Sequence, residues 1–318
     1  MQGRYSFWTR LLFCLVAGLV ISSYFIPKVG GVGDWVPLFS GYADLSVFDE
    51  NIVLSGVLGG VFNVLIAISL LAINTKSVNN VFNPGLSVVF LLLLMFLDPS
   101  VVYFSCIHPA MLLFVWGQFC FISNQKFASM FLLSCSALFY APLLLVLPLV
   151  LVASVPGAPD IPRVALKSLG GLLLPLFYML CFRYMAFGDA MVFADEFISH
   201  ALEFSSPFHD ASFTSIFLLL CIVVAALHSI SYMFRRLNRN SIVSDHILKM
   251  ELLCAVLGGM LFFLFGGNAG VPVGMVVALP LAILFSHYFT GNITAAAARV
   301  ELILLCCAAV MSRLYYFI

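Results

Sequence analysis

Residues 127–155 read FASMFLLSCSALFYAPLLLVLPLVLVASV. The run is about 29 residues long, more than the roughly 20 that carry one helix across a bilayer and short for two full crossings. Its middle holds Tyr140-Ala141-Pro142. Proline has no N–H to give a helix and disfavours helical backbone in the residue before it. The stretch is therefore expected to break there into a hairpin of two short helices.

Charge outside the stretch argues for the same break. Short loops rich in Lys and Arg stay on the cytoplasmic side of a membrane. Arg4 and Arg10 put the N-terminus inside, and the first loop, 27–50, sets Lys28 against Asp34, Asp44, Asp49 and Glu50 and so falls outside. Lys76 then marks an inside turn, Asp98 an outside one and Lys126 an inside one. If 127–155 crossed once, Arg163, Lys167 and the cluster Arg235, Arg236 and Arg239 would all face out. Two crossings return every basic loop to the inside. The alternative, one tilted span, requires the sign rule to fail at 235–239.

The other apolar runs lie near 7–26, 51–73, 84–97, 101–122, 164–185, 212–234, 248–266, 270–289 and 295–316. With the hairpin they give an all-α polytopic transmembrane bundle of about eleven spans, treated as one domain over 1–318. The composition agrees, being 63% hydrophobic and 9% charged, against about 25% charged in a soluble domain. Strands of a membrane barrel would alternate apolar and polar residues, whereas 86–97 and 143–152 are apolar on all sides. The run 11–26 lacks a small-x-small cleavage site and reads as an uncleaved first span. N-terminus cytoplasmic, C-terminus periplasmic and outer loops at 27–50 and 187–211 complete the expected topology.

A net charge of zero and the absence of a long basic run exclude nucleic acid as a partner. The nine cysteines sit in apolar stretches with no metal-ligand or redox spacing, so neither a metal nor another cofactor is expected.

Ionisable groups inside lipid are costly and so are candidates for function. Arg183 lies near the outer end of its span, where the sign rule disfavours it, and its guanidinium suits a lipid phosphate. Snorkelling to the interface is the alternative. His108 and His228 could relay protons or simply bond a neighbouring helix. Lys249, Glu251, Arg299 and Glu301 read as helix-end charges at the cytoplasmic interface. In the loop 187–211, Phe193, Phe197, Ile198, Ala201 and Phe204 recur at helical spacing. They predict an amphipathic surface helix, with Glu196, His200 and Glu203 on other faces. His200 joins Arg183 and His108 as a candidate substrate-binding residue. Asp34 and Asp44, on the first outer loop, are the candidate catalytic carboxylates, placed to act as general base on an acceptor hydroxyl. Gly56 and Gly60 form a G-x-x-x-G that predicts close helix packing. Gly266, Gly270 and Gly274 predict a tight reversal, and the sequon at Asn292 falls on the inside.

Two resemblances follow from this layout. The run 127–204 combines short helices about Ala137-Leu138-Phe139-Tyr140-Ala141-Pro142, a basic inside turn, Gly170-Gly171-Leu172-Leu173-Leu174-Pro175 and Gly188-Asp189. With an acidic first outer loop, it resembles the GT-C glycosyltransferase scaffold. That resemblance implies a polyprenyl-phosphate-linked sugar as donor and a catalytic acid in the first loop, hence Asp34 or Asp44. Residues 87–201, through Pro99, Pro109 and Phe139-Tyr140-Ala141-Pro142, are also similar to an uncharacterised bacterial family of polytopic membrane proteins. That likeness speaks to architecture and assigns no reaction.

The expected function is a bacterial inner-membrane protein of cell-envelope glycan or lipid assembly, transferring sugar from a polyprenyl phosphate at the periplasmic face. Membrane lipid, the lipid-linked sugar and other membrane subunits are the expected partners. A non-enzymatic scaffold subunit and a transporter or flippase are the alternatives. A proton-coupled carrier should place a carboxylate near mid-membrane and show an inverted repeat, and neither is visible in the sequence.

Overall fold

A computed structural model of the chain describes residues 2–26, 47–76, 84–154, 160–207, 212–237, 242–267, 272–292 and 295–317. Among these residues the architecture is a bundle of helices without strands. In lipid a helix satisfies its own backbone hydrogen bonds, and the interest lies in where these helices stop.

Helix α1 (Gln2–Ser23) is followed by a single turn, α2 (Val47–Glu50), and by α3 (Ile52–Lys76). Asn51 starts α3 by accepting a bond from Leu54 N at 3.1 Å, an N-cap. Helix α4 (Pro84–Met95) ends ahead of Asp98, whose carboxylate caps the 3-10 turn Pro99–Val102. Helix α5 (Ile107–Ile122) turns at Asn124, which takes a left-handed φ of 60°, into α6 (Lys126–Phe139).

The expected break then occurs. Tyr140 is extended, with φ −135° and ψ 94°, and Pro142 sits in a 3-10 turn, Ala141–Leu145, ahead of the short helix α7 (Leu147–Ser154). Asp160 caps α8 (Ile161–Phe187), which Gly188 ends at φ +73°. Helices α9 (Ala190–Ala201), α10 (Phe213–Leu237), α11 (Ile242–Phe265), α12 (Gly274–Asn292) and α13 (Ala296–Tyr315) complete the chain.

Among the described residues, four stretches are long and apolar enough to cross a bilayer by length and composition: Ile52–Ala72, Ile161–Phe187, Phe213–Arg235 and Gly274–Asn292. Shorter apolar helices make up most of the remainder. The proline-bearing turns after α4 and α6 are what shorten their neighbours.

Lipid tails are as apolar as leucine, so association rests on close packing and interhelical hydrogen bonds. Helix α12 lies at the centre, buried from Met275 to Phe289 except for Val277. On α4, Phe90 stacks on Phe289 at 5.3 Å and meets Phe285 edge-on at 5.8 Å. Ser87 Oγ donates to Ser286 Oγ at 2.7 Å in the same seam.

A second seam joins α5, α6 and α8. Gly117 lies against Leu133 and Ser129 O, so α5 and α6 are antiparallel, while a Cβ on Gly171 would collide with Phe127 O. The expected close approach at Gly56 and Gly60 is displaced by one position. Both face only the Tyr24 side chain, and it is Gly59 whose missing Cβ admits the Val102 backbone.

Candidate functional site

The ends of several helices meet at one face. Tyr103 Oη donates to Ile26 O at 3.2 Å, and Phe104 N bonds Ser55 at 3.1 Å. Ser205 N donates to Leu264 O at 2.8 Å, which ties the segment after α9 to the end of α11. These contacts join helix ends and turns on the side that charge assigns as outer.

Arg183 does not snorkel. It is 4% exposed, and its Nη2 pairs with Asp189 Oδ2 at 2.5 Å. The guanidinium also lies over the rings of Phe187 and Phe193, at 5.2 and 5.4 Å. The left-handed Gly188 makes this possible by turning the chain so that Asp189 faces back on the last turn of α8. Arg183 thus pins α9 to α8, with its charge matched inside the protein.

Helix α9 is the predicted amphipathic element with a narrower apolar face. Phe193, Phe197 and Ala201, four residues apart, are buried against Leu138 and Ala141. Ile198 and Phe204 are instead exposed, Ile198 because it lies off that stripe and Phe204 because the helix ends at Ala201 before reaching it. His200 stays at the surface, its Nδ1 3.4 Å from Glu203.

His108 is fully buried. Ser105 N donates to Nδ1 at 3.1 Å, which places the ring proton on Nε2, donated to Val101 O at 3.0 Å. Asn63 Nδ2 donates to the same carbonyl at 3.0 Å. Both ring nitrogens are therefore committed to holding the 99–106 loop. His228 bonds a neighbouring helix, with Nδ1 2.8 Å from Glu301 Oε1, and Tyr288 Oη donates to Glu301 Oε2 at 3.0 Å.

Asp34 and Asp44 lie outside the described residues, as do Lys28, Gly270 and part of the Asn292 sequon. The roots of their loop are described. Ser23 and Ile26 leave α1 beside Arg313 and Tyr103, and Phe48 meets Phe104 at 5.2 Å.

Two acidic residues are more deeply placed than interface charges would be. Glu251 is 1% exposed and its Oε2 has no partner among the described residues. Helix α11 begins at Ile242, well before the expected 248, which carries Glu251 into the helix interior. Glu301 has only 12% of its side chain exposed.

A large cavity lined by described residues lies elsewhere. Although α10 and α11 are consecutive in sequence, they barely touch. Between them, floored by α12, is a space of about 690 Å³, within the range of ligand sites. Leu218, Ile222, Ala226 and Ile230 line it from α10, and Ala255 and Gly259 from α11. Its rim includes Val256, Met260 and Phe263, all exposed, so the cleft opens sideways at the bundle surface. Polar groups gather at the end that charge assigns as outer: Asp98, Ser215, Ser312 and Tyr316. Behind that end stands Arg313, 6% exposed, whose Nη2 donates to Ser23 Oγ at 2.9 Å and to Phe96 O.

Sequence reasoning read Asp98 only as a turn marker and did not single out Arg313. The signal was present, because Arg313 ends the last helix on the side expected from charge to be outer, the same violation of the sign rule that marked Arg183. Comparison with known proteins finds no matching family, no matching curated protein and no matching solved structure.

Proposed function

We propose that this chain is a multi-pass protein of a bacterial inner membrane that takes up a long-chain lipid carrying a sugar on a polyprenyl phosphate and works on its headgroup at the periplasmic face. The observation that carries this reading is the cleft between α10 and α11, apolar along its length, open sideways and polar only at its outer end. A lipid tail suits the apolar part, and a headgroup suits the mouth. About eleven crossings, with the N-terminus cytoplasmic and the C-terminus periplasmic, is the topology that accompanies it. The chemistry in this reading is transfer of the sugar, as the GT-C likeness implies, with Asp34 or Asp44 as base. Support for that step comes from the loop roots at Ser23 and Phe48, which stand on the mouth side.

Photo-crosslinking tests the reading. A diazirine-bearing polyprenyl phosphate sugar, added to the full chain in nanodiscs, should label α10 to α12. Ala226→Trp and Gly259→Trp, which fill the cleft, should remove the label. Equal labelling of all lipid-facing helices, unchanged in both variants, would overturn it.

A lipid carrier is the second reading, favoured by the buried carboxylate Glu251 and the half-buried Glu301. It requires lipid movement that responds to a proton gradient and is lost in Glu251→Gln.

A further inference from the structure

Arg313 is the buried cation whose environment is least complete. Nη2 is fixed by Ser23 and the Phe96 carbonyl, yet Nη1, equally buried, has no hydrogen-bond partner among the described residues. Nor does Arg313 form an ion pair with any described carboxylate. Burying an unpaired N–H of a charged group is unfavourable, and a bound ion is one of the ways such a group is satisfied. The wall they sit behind belongs to the cleft. Met95, Leu97 and Asp98, around Phe96, line its outer end, as do Ser312 and Tyr316, around Arg313.

Asp98 is held in a complementary way. Its Oδ1 accepts from Ser100 N at 2.9 Å and Ser100 Oγ at 2.7 Å. The mouth therefore presents a fixed acceptor with a buried donor behind its wall, close enough to interact through charge.

We propose that Arg313 and Asp98 are the headgroup site of the cleft, reading a lipid phosphate followed by a hydroxyl-bearing group. This rests on the cleft being a lipid site. A phosphate offers only acceptors and suits the guanidinium, while a carboxylate beside it repels a bare phosphate and accepts a hydroxyl. A lipid ending in phosphate alone satisfies one half of the site, and an uncharged alcohol satisfies neither. The site is distinct from Arg183, whose charge Asp189 already matches. It also adjoins the root of the first outer loop, since Ser23, the Arg313 partner, lies three residues before Ile26.

The test is competitive binding to the full chain in phosphatidylcholine nanodiscs, read by native mass spectrometry. The probes are undecaprenyl phosphoglucose, undecaprenyl phosphate, undecaprenol and phosphatidylglycerol. The unaltered chain should prefer undecaprenyl phosphoglucose to undecaprenol by about tenfold or more, as one charge-assisted pair implies. Arg313→Gln should bring that ratio near one while undecaprenol still binds. Asp98→Asn should keep the preference over undecaprenol and lose the preference over undecaprenyl phosphate. Phosphatidylglycerol competing as well as the phosphoglucose lipid places the specificity in the headgroup, and failure to compete adds selection for the polyprenyl tail. Either result supports the site. Equal binding of phosphoglucose lipid and undecaprenol by the unaltered chain overturns it, whatever the fate of Arg313→Gln in folding. Failure of all four lipids to bind refutes the cleft reading itself.

Discussion

Ser134 of α6 donates its hydroxyl to the carbonyl oxygen of Leu172 in α8 at 2.7 Å. One turn or more to either side, the pairing keeps the same sense. Gly171 rests on Phe127 and Met130, and Leu138 shares a cluster with Leu176 and Leu180. The two helices therefore run in parallel. A parallel pair so close in sequence requires residues 140–160 to carry the chain back along the bundle, which the 3-10 turn and α7 do.

That return path predicts sidedness. In a background cleared of reactive native cysteines, Asn124→Cys and Asp160→Cys should react with an impermeant maleimide from the same, cytoplasmic side, and Glu203→Cys from the opposite one. Labelling of Asn124→Cys and Asp160→Cys from opposite sides would mean a single crossing between them. The side chains at 124, 160 and 203 are exposed, so access does not limit the measurement.

The seam between α6 and α8 depends on one glycine of an adjacent pair. Gly171→Ala places a methyl against the Phe127 backbone, whereas Gly170→Ala meets nothing closer than the Phe127 ring at 3.8 Å. Overpacking of this kind costs about 1–3 kcal/mol. Thermal unfolding in detergent should show a lower midpoint for Gly171→Ala and little change for Gly170→Ala.

Arg183 and Asp189 should behave as a coupled pair. Asp189→Asn leaves a buried guanidinium unmatched, and Arg183→Met leaves a carboxylate against aromatic rings. Because Asp189 keeps 30% of its side chain exposed, solvent tempers the loss, to about 1–3 kcal/mol. The double variant should unfold at a higher temperature than Asp189→Asn. Strictly additive losses would show that the two residues act independently.

His108 is predicted to matter for stability and not for lipid selection. His108→Ala strands the Ser105 N–H and opens a cavity, at a cost of about 2–4 kcal/mol. Headgroup preference in the surviving folded protein should match that of the unaltered chain. A changed preference would move His108 into the binding site.

The break at Tyr140-Ala141-Pro142 was legible in sequence because it follows from local chemistry, a missing N–H and a restricted preceding residue. So was the helical character of the apolar runs, since lipid admits few other structures. The apolar face of α9 was partly legible. Period alone proposed five residues, and packing on Leu138 and Ala141 selected Phe193, Phe197 and Ala201. The G-x-x-x-G was misread for a related reason. The motif marks small residues, but only the position of Val102 decides that Gly59 is the one in contact.

What sequence alone determined was therefore what each segment does with its own backbone: span, break, cap and turn. Tertiary structure decided which charges are hidden and what faces them. Arg313 and Ser23 are 290 positions apart, and no local pattern joins them. Burial and pairing depend on helices distant in the chain, and so does the gap between α10 and α11. That gap exists because both helices pack on α12 in preference to each other.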